Sequence, residues 1–146
     1  MIRSETLENG VFRRMLVVPP DAVDRNGHVN NVRYVEWMQD VAIRHSEISG
    51  GTAAMNSSGG TWVVRSHRIM YLSPAFSGDL VEVATWVAAF GRVKSFRRYR
   101  FTRIPDGRLL AQGETEWVFL DAHSGRPVTI PETVRSCFPV IEVAEP

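Results

Sequence analysis

One amphipathic helical pattern, flanked by strand-like segments, constrains the fold of this chain more than any other feature. Between Asn31 and Glu47, apolar side chains and His45 recur every three to four residues, and charged side chains fill the opposite side. The predicted helix is about 25 Å long at about 1.5 Å per residue. One helix cannot cover both faces of a large sheet, so we expect an antiparallel sheet that curls around it.

The strand-like segments are rich in β-branched and aromatic residues and are separated by turn-forming residues. They span Phe12 to Val18, Trp62 to Tyr71, Leu80 to Ala88, Ser95 to Ile104 and Leu109 to Leu120. The glycine- and serine-rich stretch EISGGTAAMNSSGG is predicted to be a mobile loop. The sequence therefore predicts an α+β fold, a curved sheet of about five strands around one long helix, in a single domain over residues 1–146.

Charge and composition argue against several functional classes. The formal net charge is +1, so no overall field favours nucleic acid or an anionic membrane. Cys137 is the only cysteine, which excludes an internal disulfide and fits a reducing compartment. The first ten residues lack the apolar core of a signal peptide, and no apolar run approaches the roughly 20 residues of a membrane span. We expect a cytoplasmic protein.

The segment DRNGHVNNVRYVEW, residues 24–37, places several short polar side chains directly before the helix. Such residues are common in turns and caps, and Asn30 or Asn31 is a candidate N-cap. The first N–H groups of a helix are also unpaired donors at the positive end of its dipole, where they can polarise a carbonyl oxygen. Asp24 is near enough in sequence to face the carbon atom of a carbonyl group that is polarised in this way. The segment is either a capped turn or a reaction centre.

Arginine alternates with aromatic residues in the strand segment KSFRRYRFTR. Strand geometry places Arg97, Tyr99, Phe101 and Arg103 on one face. The pattern could serve single-stranded nucleic acid, because bases stack on rings while arginines hold phosphates. The alternative is a solvated strand face with aromatic neighbours opposite, which the near-neutral total charge favours.

The histidines indicate no metal site. His45 lies on the apolar side of the helix, where a hydrogen-bonded core histidine is the simplest interpretation. His67 and His123 have no spacing with other ligand types that would suggest zinc.

The complete polar motif in its strand–helix context resembles the hotdog-fold thioesterases. Within them the chain is most similar to the 4-hydroxybenzoyl-CoA thioesterase and acyl-ACP thioesterase branch. Further similarity follows in the expected order in SHRIMYLSPAFSGD, VKSF and WVFLDAHSGRPVTIPE, so the resemblance covers nearly the whole chain. It implies a hotdog fold and hydrolysis of an acyl-CoA or acyl-ACP thioester without a metal or redox cofactor.

The resemblance also implies roles for individual residues. Asp24 matches the catalytic aspartate of the hydroxybenzoyl-CoA enzymes and is expected to act as nucleophile or general base. Asn26 and His28 match residues implicated in the plant acyl-ACP enzymes and are expected to position water or substrate. The expected substrate-binding residues are Gly27, Asn30, Asn31, Tyr34, Arg92 and Lys94.

Two groups of these binding residues need comment. Arg92 and Lys94 lie in GRVKSF, which matches a stretch whose basic residues contact coenzyme A phosphates in the hydroxybenzoyl enzymes. Tyr34, like Trp37, also fits a contact in the core or in a dimer. The chain departs from many relatives at Ala22, where they have an additional aspartate, and from the plant enzymes, which fuse two hotdog halves.

The edges of an open sheet need to be paired or protected. We therefore expect a homodimer that joins two sheets edge to edge, or a homotetramer. The expected partner is an acyl-CoA or acyl-ACP substrate, without nucleic acid or membrane. Two other classes stay open. One is a catalytically silent hotdog protein that binds acyl carriers or acts as an assembly partner, and the other is a module that binds RNA or single-stranded DNA.

Overall fold

The computed structural model describes residues 4–142, which form one antiparallel sheet and three helices. The strands are β1 (Glu5–Glu8), β2 (Val11–Val17), β3 (Gly60–Tyr71), β4 (Leu80–Phe90), β5 (Lys94–Arg103) and β6 (Leu109–Asp121). The helices are α1 (Asn31–Ser49), α2 (Gly51–Ser57) and α3 (Glu132–Arg135). A short 3-10 turn, Pro20–Ala22, leads into the polar motif.

The sheet has the strand order β1-β2-β4-β5-β6-β3, and every neighbouring pair is antiparallel. The predicted α+β architecture is confirmed, with six strands over residues 4–142 instead of about five. The additional strand is β1, whose Glu5 forms ion pairs with Arg14 at 2.9 Å and with Arg44 of α1 at 3.1 Å. The sheet therefore ends in β1 on one side and β3 on the other.

The long helix α1 confirms the predicted helix and extends it by two residues to Ser49. Its buried side chains are Tyr34, Met38, Val41, Ala42 and His45, and it packs against β2 and β4. The helix ends at Gly50, which has a φ of 90° in the left-handed region that glycine adopts without strain.

The prediction of a mobile loop after α1 was wrong for α2. The sequence after Gly50 contains alanine and methionine, which favour helix, and these outweigh the glycines and serines on which the prediction rested. Tertiary packing adds to this, because the Phe138 ring occupies the space in which a side chain at Gly51 would lie. Met55 packs with Phe138 in a second apolar cluster beside the main core.

A buried arginine connects α1 to the sheet. Arg97 of β5 is only 5% exposed, and its Nη1 donates to His45 Nδ1 at 2.8 Å and to Thr85 Oγ1 at 3.2 Å. The rings of Phe12 and Phe138 pack against His45 at 5.9 and 5.2 Å between centroids. A solvated strand face was therefore the wrong interpretation for Arg97, which points into the interior.

Burial, assisted by the nearby Arg97 charge, lowers the pKa of His45 to about 3. The ring is therefore neutral at neutral pH, with Nδ1 as acceptor and the hydrogen on Nε2. That Nε2 is buried and has no hydrogen-bond partner. The predicted core position of His45 is confirmed, although only one of its two ring nitrogens is hydrogen-bonded.

We predict that His45 makes the fold sensitive to acid. In the unfolded chain His45 binds a proton near its usual pKa of about 6.5, whereas in the folded chain it does so only near 3. Between these two pH values the unfolded state binds more protons than the folded state. The free energy of unfolding therefore falls on acidification, by up to about 1.4 kcal/mol per pH unit from His45. Denaturant unfolding between these pH values should show a shallower pH slope for His45→Gln, whose amide oxygen can still accept from Arg97.

The exposed His123 provides the matched control for this measurement. His123→Gln should keep the pH slope of the parent protein. Equal slopes for His45→Gln and His123→Gln would contradict the prediction.

Candidate active site

The side chain of Asp24 organises a tight turn before α1. Its Oδ1 accepts hydrogen bonds from the backbone N–H groups of Asn26 at 2.9 Å and His28 at 3.2 Å. The backbone closes the same turn, since Asp24 N–H donates to His28 O and Gly27 N–H donates to Asp24 O. Over residues 4–142, Asp24 Oδ2 accepts no hydrogen bond. This exposed carboxylate oxygen is available to a water molecule or a substrate.

Other contacts hold this turn against the rest of the protein. The His28 ring meets the Phe76 ring edge-on at 5.3 Å between centroids, and the two residues form a backbone bridge. Gly27 has a φ of 77°, which a residue with a side chain would adopt only with strain. Asn26 is exposed and uses its side chain in no hydrogen bond within the described part of the chain.

The start of α1 leaves one backbone donor unpaired. Asn30 is the N-cap, and its Oδ1 accepts from Val32 N–H at 3.1 Å. The N–H of Arg33 donates to Asn30 O, whereas that of Asn31 has no acceptor within residues 4–142. Asn31 is exposed at the positive end of the helix dipole. A free amide and a free carboxylate oxygen therefore occur at the two ends of one short segment.

The structure brings together only part of the predicted site. The segment 24–31 is continuous, but Tyr34 lies in the core at 3% exposure, where its ring packs against Tyr71 and Phe101. Burial raises the pKa of Tyr34 to about 12, so its hydroxyl stays protonated.

The two predicted coenzyme A contacts lie far from Asp24 in the same chain. Arg92 is in the turn between β4 and β5, and Lys94 begins β5. The Asp24 turn instead contacts Phe76, which lies just before the opposite end of β4. The two ends of β4 are roughly 30 Å apart, at about 3.4 Å per residue. Arg92 Nη1 donates to Thr129 Oγ1 at 2.9 Å, and Lys94 Nζ lies 3.6 Å from Glu116 Oε2.

A cavity of about 270 Å³ lies beside the second half of α1. This cavity, here called the Arg97 cavity, has mainly apolar walls from α1, α2, the four strands β3 to β6 and the C-terminal segment. The wall residues that define it are Ile43, Met55, Trp62, Phe90, Arg97 and Phe138. Along α1, Ile43 is 12 residues beyond Asn31, or about 18 Å at 1.5 Å per residue. Within one chain the cavity is therefore separate from the Asp24 turn.

Residues 18–138 match the Thioesterase-like superfamily. The chain belongs to this superfamily. The matched range contains the Asp24 turn, α1, the Arg97 cavity and four of the strands described above, β3 to β6.

Individual relatives agree with this assignment. The chain is 28% identical over 120 residues to the chloroplastic palmitoyl-acyl carrier protein thioesterase of Cuphea hookeriana, which covers 77% of this chain and 28% of that protein. It is 30% identical over 111 residues to the L-carnitine dehydrogenase/betainyl-CoA thioesterase of Ruegeria pomeroyi, which covers 75% of this chain and 22% of that protein. The chain thus spans about a quarter of the length of these two relatives.

Solved structures confirm the hotdog fold. The 12:0-ACP thioesterase from Umbellularia californica superposes with a TM-score of 0.82 at 24% identity, over 96% of this chain and 58% of that one. A 1,4-dihydroxy-2-naphthoyl-CoA thioesterase from Synechocystis superposes with a TM-score of 0.78 at 16% identity, over 88% and 95%.

Two features are absent from residues 4–142, a metal-binding cluster and a membrane-spanning helix. No group of three or more His, Cys, Asp or Glu side chains in residues 4–142 is arranged to hold a metal ion. No helix in the same range is long and apolar enough to cross a membrane.

The buried Arg97 is the residue that sequence reasoning missed. The sequence feature that indicates its burial is the strand face that Arg97 shares with Tyr99 and Phe101. Both of these residues are fully buried in the structure. Both faces of β5 combine arginine with aromatic residues, so alternation alone does not tell which face is inside.

We predict that the Asn30 cap stabilises the start of α1. Asn30→Ala removes the acceptor for Val32 N–H and should lower the free energy of unfolding by about 1 kcal/mol. Asn30→Asp keeps an acceptor and should stay close to the parent protein in denaturant unfolding. Asn31→Ala, one residue further on, is the matched control, since alanine is well tolerated inside a helix. A loss for Asn31→Ala as large as that for Asn30→Ala would contradict a specific capping role.

Proposed function

We propose that this protein hydrolyses an acyl thioester, of coenzyme A or of acyl carrier protein, to a free acid and a thiol. The observation that carries the proposal is the Asp24 turn, which has an unpaired carboxylate oxygen directly before a helix with an unpaired N–H at Asn31. Membership of the superfamily and the thioesterase names of its relatives support the same reaction.

The chemistry follows from these two groups. The Asn31 N–H and the helix dipole would stabilise the negative charge that develops on the thioester oxygen. Asp24 would either take a proton from the attacking water or attack the carbonyl carbon itself. In the first route water adds to the carbonyl carbon and the bond from carbon to sulfur breaks, which releases the acid directly. In the second route that bond breaks as a mixed anhydride with Asp24 forms, and water then hydrolyses the anhydride to release the acid and restore the carboxylate. In both routes the sulfur takes up a proton and the carrier leaves as a thiol. Neither route needs a metal or redox cofactor.

Asn26 and His28 are proposed to position the water or the substrate. Both side chains are exposed beside Asp24, and the Phe76 ring restricts the orientation of the imidazole. Gly27 keeps the turn free of a side chain. These roles, like that of Asp24, follow from the resemblance and are compatible with the geometry.

We further propose a homodimer, or a tetramer built from it, joined through β3 in the cytoplasm. This strand has 12 residues and pairs only with β6, so its other side is an open edge within the described chain. Exposed apolar side chains line it, including Val63 at 40% and Met70 at 58%. Such an edge is a template for pairing with another strand. The opposite edge, β1, has only four residues.

A twofold axis at this edge would pair the two β3 strands antiparallel. The end of β3 lies at the helix start, since Tyr71 Oη donates to Asn31 O at 3.3 Å. The beginning of β3 lies near Lys94, because Lys94 and Val63 both pair with Val118 of β6. Antiparallel pairing would therefore bring Arg92 and Lys94 of one copy toward the Asp24 turn of the other. In this arrangement they can hold carrier phosphates at a shared site.

Asp24→Asn tests the proposed reaction. The amide oxygen can still accept from the N–H groups of Asn26 and His28, so the turn and the melting temperature should be preserved while the negative charge is lost. Release of free thiol from a panel of acyl-CoA and acyl-ACP substrates should fall by at least about 100-fold. Asp21→Asn, an exposed acidic residue nearby, is the control and should keep parent activity. Parent-like turnover by folded Asp24→Asn would refute the role of Asp24.

The assembly prediction is tested by light scattering at the assay concentration. The parent protein should be a dimer or larger, and Met70→Lys, which places a charge on the open edge, should shift it toward monomer and lower the activity per chain. Leu7→Lys on the β1 edge is the matched control and should leave the assembly unchanged. A fully active parent monomer would contradict the shared site.

A further inference from the structure

Arg97 is a buried cation without an anionic partner. Within residues 4–142, its hydrogen bonds are those of Nη1 to His45 and Thr85, and no carboxylate lies in ion-pair distance. A guanidinium has five N–H donors, so Nε and both hydrogens of Nη2 stay unused. His45 cannot compensate the charge, because its ring is a neutral acceptor. An unpaired charge in an apolar interior is unfavourable unless something neutralises it.

Arg97 is one of the residues that line the Arg97 cavity. The rest of the wall is largely apolar, with aromatic side chains from Trp62, Phe90 and Phe138. Its other polar side-chain groups are neutral. They are hydroxyls, such as that of Ser95 on the same strand, and the indole N–H groups of Trp62 and Trp117. A site with apolar walls and one cation fits a ligand with an apolar body and a single negative charge. A phosphate dianion would bring a second charge that nothing in this wall would neutralise.

We propose that the Arg97 cavity binds a carboxylate with an apolar body, and that this carboxylate is the counter-ion of Arg97. A planar carboxylate matches the fork of a guanidinium and can take the donors that the protein leaves unused. Two sources have this chemistry. One is a free aliphatic or aromatic acid. The other is a carboxylate at the far end of the acyl group of a thioester held at the Asp24 turn of the second copy in the proposed dimer, since the cavity is separate from the Asp24 turn of its own chain. The binding itself is independent of the proposed function, whereas the second source rests on it.

Titration calorimetry with octanoate and octanol tests the binding. These probes have the same chain length and differ in charge. The parent protein should bind octanoate at least about 10-fold more tightly than octanol, although octanol is the more apolar molecule. Equal affinity, or tighter binding of octanol, would overturn the proposal without the need for any variant.

Arg97→Met tests whether Arg97 is the residue responsible. Methionine fills similar space without charge, and replacement of an uncompensated buried cation by an apolar side chain is compatible with folding. The preference for octanoate should disappear in Arg97→Met and remain in part in Arg97→Lys, which keeps the charge. The matched control is Arg100→Met on the same strand, whose side chain lies over Trp86 on the opposite face and which should retain the parent preference. Equal loss in Arg97→Met and Arg100→Met would also overturn the proposal.

A comparison of two thioesters separates the two sources. Octanoyl-CoA and suberyl-CoA have acyl chains of the same length, but that of suberyl-CoA ends in a free carboxylate. If the carboxylate is the far end of the acyl group, the ratio of kcat/KM for suberyl-CoA to octanoyl-CoA should fall at least about 10-fold in Arg97→Met. If that ratio is unchanged while octanoate binding is lost, the ligand is a free acid. If neither thioester is hydrolysed but octanoate binds through Arg97, the proposed hydrolysis is wrong and the cavity proposal stands.

Discussion

The packing of α1 on the sheet is the contact on which the other features of this protein depend. Gly113 of β6 leaves room for the end of the Met38 side chain of this helix, since a Cβ there would lie 2.9 Å from Met38 Cε. The first turn of the seated helix adjoins the Asp24 turn, and its second half forms a wall of the Arg97 cavity. A shift of the helix would therefore alter both sites.

The two ends of α1 use polar groups in opposite ways. At its start, one oxygen of the Asp24 carboxylate and the backbone N–H of Asn31 remain unpaired. Both residues are exposed to water, and short-range hydrogen bonds set the geometry of the turn. Near its end, Arg97 and His45 are withdrawn from water, so their charge and hydrogen-bonding requirements are met by few neighbours. The reaction proposed for the first end and the recognition proposed for the second both rest on this difference in solvation.

Expectations based on local patterns agree well with the structure. The helical period predicted α1 to within two residues, and its polar start contains the N-cap that was one of two candidates. The errors arise where longer-range contacts decide. The sequence ETLE is short and charged, and it becomes β1 because it pairs with β2 and because Glu5 bonds Arg14 and Arg44. The segment after Gly50 becomes α2 partly through packing against Phe138.

The sequence by itself determined the helix, most of the strands and the polar turn at Asp24, because periodicity, capping and turn formation act between residues only a few positions apart. The tertiary structure decided which strand is an open edge, that Arg97 faces inward, and that Arg92 and Lys94 lie at the far end of the sheet from Asp24. His45 and Arg97 are 52 residues apart and meet only when the sheet closes over the helix. Burial and charge compensation are sums over such distant neighbours, so no local pattern contains them.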